Sequence, residues 1–152
     1  MPAPYSGGCQ CGSVRYVLDA EPIRLVACHC KECQRQSGSA FGMSMLVKET
    51  SLTVTGSTKR FTRIADSGNE NTGVFCPDCG VRIYQIPQYA KDVLVLKPGT
   101  LDDTSWLRPG YFVWMKSAQR WVPVPDGVKA LEGQNVALPP PRDEAAHRGE
   151  IR

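Results

Sequence analysis

Three cysteines within six residues, Cys28, Cys30 and Cys33, form a C-x-C-x2-C cluster that constrains this chain more than any other feature of its sequence. Cysteines this close together cannot all meet the distance and direction that disulfides require, but their thiolates can surround one soft cation. Zinc is the default ion for a thiolate site, and it takes four tetrahedral ligands. The cluster therefore predicts a metal site with one position left for another ligand.

Four further cysteines lie in two pairs, a glycine-flanked C-x-C at Cys9 and Cys11 and a C-x2-C at Cys76 and Cys79. Seven cysteines is an odd number, which a framework of disulfides alone would not favour, but it divides into a closed set of four and an open set of three. Spacing leaves this division open, because the C-x2-C pair could instead complete a site with the C-x-C-x2-C cluster. A redox role for the C-x2-C pair would need a βαβ pattern that is missing around it.

The rest of the sequence predicts one mainly β domain with short helical turns. A chain of 152 residues with 41% hydrophobic content supports a single core, and fourteen glycines and twelve prolines favour many turns. Alternating or continuous apolar patterns predict strands at residues 14–18, 23–27, 40–47, 52–55, 59–64, 93–96 and 111–115. A short helix is predicted over 31–37, ended by Gly38, and a loop over 66–71. Asp102 and Asp103 are predicted to cap a second short helix that leads to Trp106.

Charge and hydropathy exclude several functional classes. The net charge of +3 arises from 18 basic and 15 acidic residues that are interspersed, so no basic stripe indicates nucleic-acid binding. No apolar stretch is long enough to cross a membrane, and the N-terminus lacks the pattern of a signal peptide. We therefore expect a soluble, cytoplasmic protein, in which free thiols persist and clustered cysteines indicate metal.

The C-terminal part has a different composition from the rest. Prolines and glycines interrupt every pattern after Trp121, and three consecutive prolines at 139–141 precede a charged tail over 142–152. We expect a domain over residues 5–121 and a proline-rich extension over 122–152. The extension is expected to pack on the domain or on a partner subunit, which makes a homodimer one expected assembly.

Several linked motifs in one order resemble the glutathione-dependent formaldehyde-activating (GFA) family, whose domain is shared with the centromere protein CENP-V. The similarity covers about residues 5–121. It is carried by Gly7-Gly8-Cys9-x-Cys11-Gly12, Cys28-His29-Cys30-x-x-Cys33-Gln34-Arg35, Phe75-Cys76-x-x-Cys79-Gly80, Gly99-Thr100-Leu101-Asp102-Asp103, and the late Trp114 and Trp121.

This resemblance implies a single β-tent-like domain with two zinc ions, one structural and one catalytic. It implies that the structural zinc is held by Cys9, Cys11, Cys76 and Cys79, and the catalytic zinc by Cys28, Cys30 and Cys33. It also implies the division of the cysteines into four and three. The implied reaction is the condensation of formaldehyde with glutathione to S-hydroxymethylglutathione, which is classed with the carbon-sulfur lyases.

The chemistry of three thiolates is consistent with that reaction. Zinc with three thiolate ligands has a net charge of −1, so it is a weak Lewis acid toward water but a good acceptor for another soft thiolate. A thiol that coordinates zinc loses its proton and becomes a nucleophile at neutral pH. Its attack on an aldehyde carbon would form a C–S bond, and the reverse step would break one. The expected substrates are therefore a small thiol and an aldehyde.

Other residues near the cluster allow a functional and a structural interpretation. His29 lies between two ligands in an extended segment, which directs its side chain away from the metal and favours a structural role. A glutamine, an arginine and two serines that follow the cluster could contact a peptide-like substrate, or could simply cap a loop: Gln34, Arg35, Ser37 and Ser39. Asp102 and Asp103 are explained by turn formation as well as by acid-base work. The tryptophans at 106, 114 and 121 are interpreted as core or pocket walls.

Two other functions remain open. Both zinc ions could be structural, which would make the protein a non-catalytic binding module. Alternatively, the enzyme could act on the adduct of some other small thiol. The number of bound metal ions and the ease with which thiols displace them would separate a scaffold from an enzyme.

Overall fold

The computed structural model describes residues 2–65 and 68–134 and confirms a mainly β fold. One α-helix is found in these residues, α1 (Lys31–Ser37). Three short 3-10 helices span Glu49–Ser51, Pro98–Thr100 and Met115–Ser117. The strands are β1 (Tyr5–Gly8), β2 (Arg15–Leu18), β3 (Arg24–Cys28), β4 (Gly42–Lys48), β5 (Leu52–Thr55), β6 (Lys59–Ile64), β7 (Glu70–Phe75), β8 (Arg82–Pro87), β9 (Val93–Leu96), β10 (Tyr111–Val113) and β11 (Lys129–Ala130).

The strands form two sheets. A small sheet has the order β1-β2-β5, and a large sheet has the order β11-β10-β3-β4-β9-β8-β7-β6. Neighbouring strands are antiparallel except at β10, which runs parallel to both β3 and β11. Within the described residues, no helix is long and apolar enough to cross a membrane.

The two faces of the large sheet are buried in different ways. Along β4, Met45 and Val47 are fully buried in the main core, together with Tyr16 and Leu18 of the small sheet. Leu46, between them, lies in a separate cluster on the other face. Because side chains alternate across a strand, every second residue of the central strands faces away from the main core. That second face carries the candidate site.

Most predicted elements are present, with small shifts at their ends. The helix over 31–37 is confirmed, and Gly38 ends it in a left-handed conformation with φ of 61°. The strands over 52–55, 59–64 and 93–96 have the predicted bounds. The strand predicted over 111–115 ends instead at Val113, because Trp114 adopts a left-handed conformation and a 3-10 helix follows.

Two local predictions are wrong. Glu70 and Asn71 were expected in a loop but begin β7; the remaining part of that loop at 66–67 lies outside the described residues. Asp102 and Asp103 cap no helix. The Asp102 carboxylate pairs with Arg15 across the molecule, and Asp103 accepts a hydrogen bond from the Ser105 amide at 2.9 Å. The two carboxylates, which could accept hydrogen bonds at a helix N-terminus, thus form an ion pair and a turn instead.

The chain after Trp121 is more regular than its composition predicts. Lys129 and Ala130 form β11, which pairs with Tyr111 and Phe112 of β10. The boundary between residues 121 and 122 stays a prediction. The three prolines at 139–141 and the charged tail lie outside the described residues.

Candidate metal centres and the adjoining cavity

The two cysteine pairs meet at one end of the molecule because each lies in a tight turn. After β1 the amide of Cys9 donates to the carbonyl of Val14 at 3.0 Å, and Gly12 takes a φ of 79°. Between β7 and β8 the amide of Gly80 donates to the carbonyl of Cys76 at 2.9 Å. Both turns direct their sulfurs to a common point, as expected for thiolate turns.

The distances between these four sulfurs fit a metal ion and exclude disulfides. The four Sγ atoms of Cys9, Cys11, Cys76 and Cys79 all lie within 4.8 Å of one another. The Sγ atoms of Cys9 and Cys11 are 3.5 Å apart, and those of Cys11 and Cys76 are 3.7 Å apart. A tetrahedral zinc with Zn–S bonds of about 2.3 Å would separate its sulfurs by about 3.8 Å. All seven cysteines are free thiols.

The protein environment favours a thiolate in this group. Burial raises the pKa of Cys9, but hydrogen bonds from the Val14 amide and the neighbouring thiols outweigh it and lower the pKa to about 6. The Val14 amide lies 3.2 Å from the sulfur. Because zinc binds thiolates and not thiols, this turn is arranged for a soft cation.

The second group lies where β3 meets α1. Cys28 is the last residue of β3, Cys30 is the N-cap of α1, and Cys33 is in the first helical turn. The Cys30 sulfur accepts a hydrogen bond from the Cys33 amide at 3.4 Å. The strand end, the cap and the helical turn bring the three Sγ atoms within 4.8 Å of one another.

The three thiols share negative charge unequally. Hydrogen bonds from Cys28 and Cys33 lower the pKa of the Cys30 thiol to about 2. Cys28 behaves in the opposite way, because its own hydrogen bonds with Cys30 and Cys33, together with burial, raise its pKa. Cys30 is thus the favoured thiolate. No fourth histidine, cysteine or carboxylate joins these sulfurs in residues 2–65 and 68–134. The three sulfurs fit a soft metal ion with one coordination position free.

Gly42 leaves the space that the third sulfur needs. It pairs with Cys28 across β3 and β4, and a Cβ atom placed on it would lie 3.2 Å from the Cβ of Cys33. This contact is tighter than ordinary packing allows, so a side chain at this position would push α1 away from β3.

Gly42→Ala is therefore expected to reduce stability by about 1–3 kcal/mol, as overpacking of a buried site does, and to weaken metal binding by the three-sulfur group. Urea unfolding and competitive zinc titration would measure the two effects. Gly99→Ala is the matched control, because a Cβ on Gly99 meets no atom within 4 Å. Equal behaviour of the two variants would contradict the packing argument.

His29 points away from the sulfurs, as expected for the middle residue of C-x-C. Its ring is fully buried and lies 5.0 Å from the ring centroids of both Phe41 and Phe112. Burial lowers its pKa. The structural interpretation of this histidine agrees with its position.

A cavity of about 400 Å³ opens beside the three sulfurs. Its floor is the second face of the large sheet, and Val26, Leu46, Val95 and Val113 supply the apolar part. The volume lies in the range of ordinary small-molecule sites. Cys28, Cys30 and Cys33 all line it, so a small molecule in the cavity can reach the sulfurs.

The charged residues of the cavity are two arginines and one glutamate. Arg24 begins β3, so strand geometry places it about 13 Å from Cys28 along the floor. Arg63 reaches from β6 to α1, where its Nε lies 3.8 Å from a carboxylate oxygen of Glu32. Glu32 also accepts from Arg35 at 2.8 Å. Away from the sulfurs, the cavity therefore presents two guanidinium groups and one carboxylate to a ligand.

The polar residues expected around the cluster have structural contacts and do not line this cavity. The Gln34 amide donates to the carbonyls of His29 and Ser117 at 2.8 and 2.9 Å, and Ser37 donates to the Cys33 carbonyl at 2.8 Å. Arg35 pairs with Glu32, and Ser39 lies at the exposed end of the helix. Gln34 and Ser37 thus hold α1 in place, so they act on the sulfurs indirectly.

The sequence analysis missed other residues of the cavity, among them Arg24, Arg63 and Tyr89. The alternation of Arg24, Val26 and Cys28 in β3 was the available signal for Arg24. Of the tryptophans, Trp106 stacks on Tyr5 at 4.7 Å and Trp114 lines the cavity. Trp121 is 71% exposed and forms neither a core nor a pocket wall.

Comparisons with known proteins agree with the fold. A family model described as glutathione-dependent formaldehyde-activating enzyme matches residues 4–117. A crystal structure of a Rhodobacter sphaeroides protein, a structural genomics target, superposes with a TM-score of 0.51 at 16% sequence identity, covering 66% of this chain and 91% of that one. At that identity the similarity concerns the fold alone. None of the curated proteins matches the chain.

Proposed function

Because the chain belongs to the glutathione-dependent formaldehyde-activating family, we propose that it is a zinc-dependent carbon-sulfur lyase or synthase. It joins or splits a small thiol, such as glutathione, and an aldehyde, such as formaldehyde. The observation that carries this proposal is the group of three cysteine sulfurs, which has no fourth side-chain ligand among the described residues and lines a cavity.

The seven cysteines would form two metal sites with different roles. Four of them, at the turns after β1 and β7, form a closed set that suits a structural ion. Cys28, Cys30 and Cys33 would hold the second ion. When bound there, zinc would accept one more soft ligand and favour the deprotonated form of a thiol.

The remaining steps depend on the cavity. Its apolar floor takes up the carbon skeleton of the substrate, and Arg24 and Arg63 offer charge-assisted hydrogen bonds to carboxylates such as the two of glutathione. The thiol sulfur is thereby directed toward the three cysteines. A C–S bond forms as the sulfur attacks the aldehyde carbon, the π electrons of the carbonyl move to oxygen, and the proton lost by the thiol ends on that oxygen.

The wild-type protein provides the direct test. We expect two zinc ions per chain. One of them should be removed by added chelator, and its coordination should change when glutathione is added. NMR exchange spectroscopy of a mixture of glutathione and formaldehyde measures how fast free glutathione and its formaldehyde adduct interconvert. This rate should be higher in the presence of the protein. Two inert zinc ions and an unchanged exchange rate would contradict the proposal and favour a binding module.

A further inference from the structure

The cavity is completed by a segment beyond the part of the chain that matches the family model. We call residues 129–134 the strap. Its first two residues form β11, and its later backbone continues along β10. The amide of Leu131 donates to the Phe112 carbonyl at 2.8 Å, and the amide of Met115 donates to the Leu131 carbonyl at 3.0 Å. The family match ends at residue 117, so the strap lies outside the matched residues.

The strap fixes the unusual conformation of Trp114. This residue has φ of 59° and ψ of 39°, a left-handed conformation that costs a bulky residue about 1–3 kcal/mol. Its amide donates to the Gly133 carbonyl, and its indole Nε1 donates to the Oε1 of Gln134, both at 3.1 Å. Lys116 lies 4.8 Å from the centre of the ring on its face. These contacts hold the indole against the cavity, directly after the residue that pairs with Cys28.

Gln134 also reaches the other side of the cavity. Burial raises the pKa of the Tyr89 hydroxyl, and a side-chain hydrogen bond with Gln134 lowers it by a smaller amount. Tyr89 lies in the connection between β8 and β9. Trp114, Gln134 and Tyr89 all line the cavity, and Gln134 is exposed to solvent. The amide of Gln134 thus connects two aromatic walls where the cavity opens to solvent.

We propose that Gln134 is a specificity-determining residue, which clasps Trp114 to Tyr89 across the mouth of the cavity and limits the bulk of the thiol that reaches Cys28, Cys30 and Cys33. Compact thiols and their aldehyde adducts enter, whereas bulky thiols require the clasp to open. The identity of these ligands rests on the proposed function. The clasp itself rests on the contacts of the strap.

Chemical labelling of the full-length protein with its bound metal tests the clasp without any turnover. Iodoacetamide serves as the small reagent and fluorescein maleimide as the bulky one. Mass spectrometry of the peptide that contains Cys28, Cys30 and Cys33 measures the rate at the cavity, and labelling of the exposed Cys11 provides the internal reference.

Gln134→Ala should increase labelling of this peptide by the bulky reagent about five- to tenfold, because it removes two neutral hydrogen bonds that hold the mouth closed. Labelling by iodoacetamide should change less than about twofold, since a small reagent already enters. Tyr89→Phe should also increase the rate of labelling by the bulky reagent. Glu132→Ala is the matched control, because Glu132 lies in the strap with an exposed side chain and should leave both rates unchanged.

Two results would overturn the clasp. The first is an unchanged rate with the bulky reagent in Gln134→Ala, and the second is an equal increase with both reagents, which would indicate general loosening of the three-sulfur group. A protein without lyase activity that still shows the expected labelling would refute the proposed function and leave the clasp standing.

Discussion

Cys76→Ser is expected to unfold the domain. Cys76 is fully buried and belongs to the four-sulfur group, which connects the turn after β1 to the turn after β7. Binding of structural zinc contributes about 10–16 kcal/mol to folding in small zinc domains, which is comparable to the whole stability of a domain. The variant should be insoluble, or its Tm should fall by at least about 15 °C.

Circular dichroism during heating, with zinc analysis of the same sample, measures this effect. Removal of zinc from the wild-type protein by a strong chelator should reproduce it, and restored zinc should reverse it in the wild type but not in Cys76→Ser. A variant that retains the wild-type Tm and both metal ions would refute the structural role of this group.

Cys30→Ser should abolish activity while the fold survives. Cys30 caps α1 and is the favoured thiolate of the three-sulfur group. Serine retains a side-chain oxygen that can cap the helix, so we expect little change in Tm. Loss of a ligand should reduce activity more than the 10- to 100-fold that is typical for residues that only support a ligand, so we expect a loss of more than about a hundredfold.

Zinc content should fall from two ions to one per chain in this variant, and the rate of adduct formation should approach that without protein. Cys76→Ser provides the contrast, because the same substitution in the four-sulfur group should affect stability first. A Cys30→Ser protein that is depleted of zinc yet active would show that chemistry occurs without the three-sulfur group.

Local sequence determined the elements around the three-sulfur group well. The helix over 31–37 is predicted because the segment lacks glycine, proline and β-branched residues, and Gly38 is suited to the left-handed end that the structure shows. The mainly β fold follows from short apolar alternations and frequent turns. The partition of the cysteines was not determined by spacing; the resemblance implied it, and the structure places the sulfurs in those two groups.

Long-range pairing explains what the sequence did not predict. The strand β8 (Arg82–Pro87) has polar residues but is buried because it lies between β7 and β9 in the large sheet. Arg24 and Arg63 come from strands at different positions of that sheet, and only its pairing order brings both to the cavity. Gln134 was missed because nothing local indicates that the strap returns to β10.

The four-sulfur group joins parts of the chain that the ribosome makes at different times. Cys79 follows 68 residues after Cys11, so the closed set cannot form until that length of chain has been made. The three-sulfur group is complete once Cys33 has emerged. During synthesis a nascent chain therefore presents five thiols before the C-x2-C turn is made, and the open set of three is complete while the closed set still lacks two of its sulfurs.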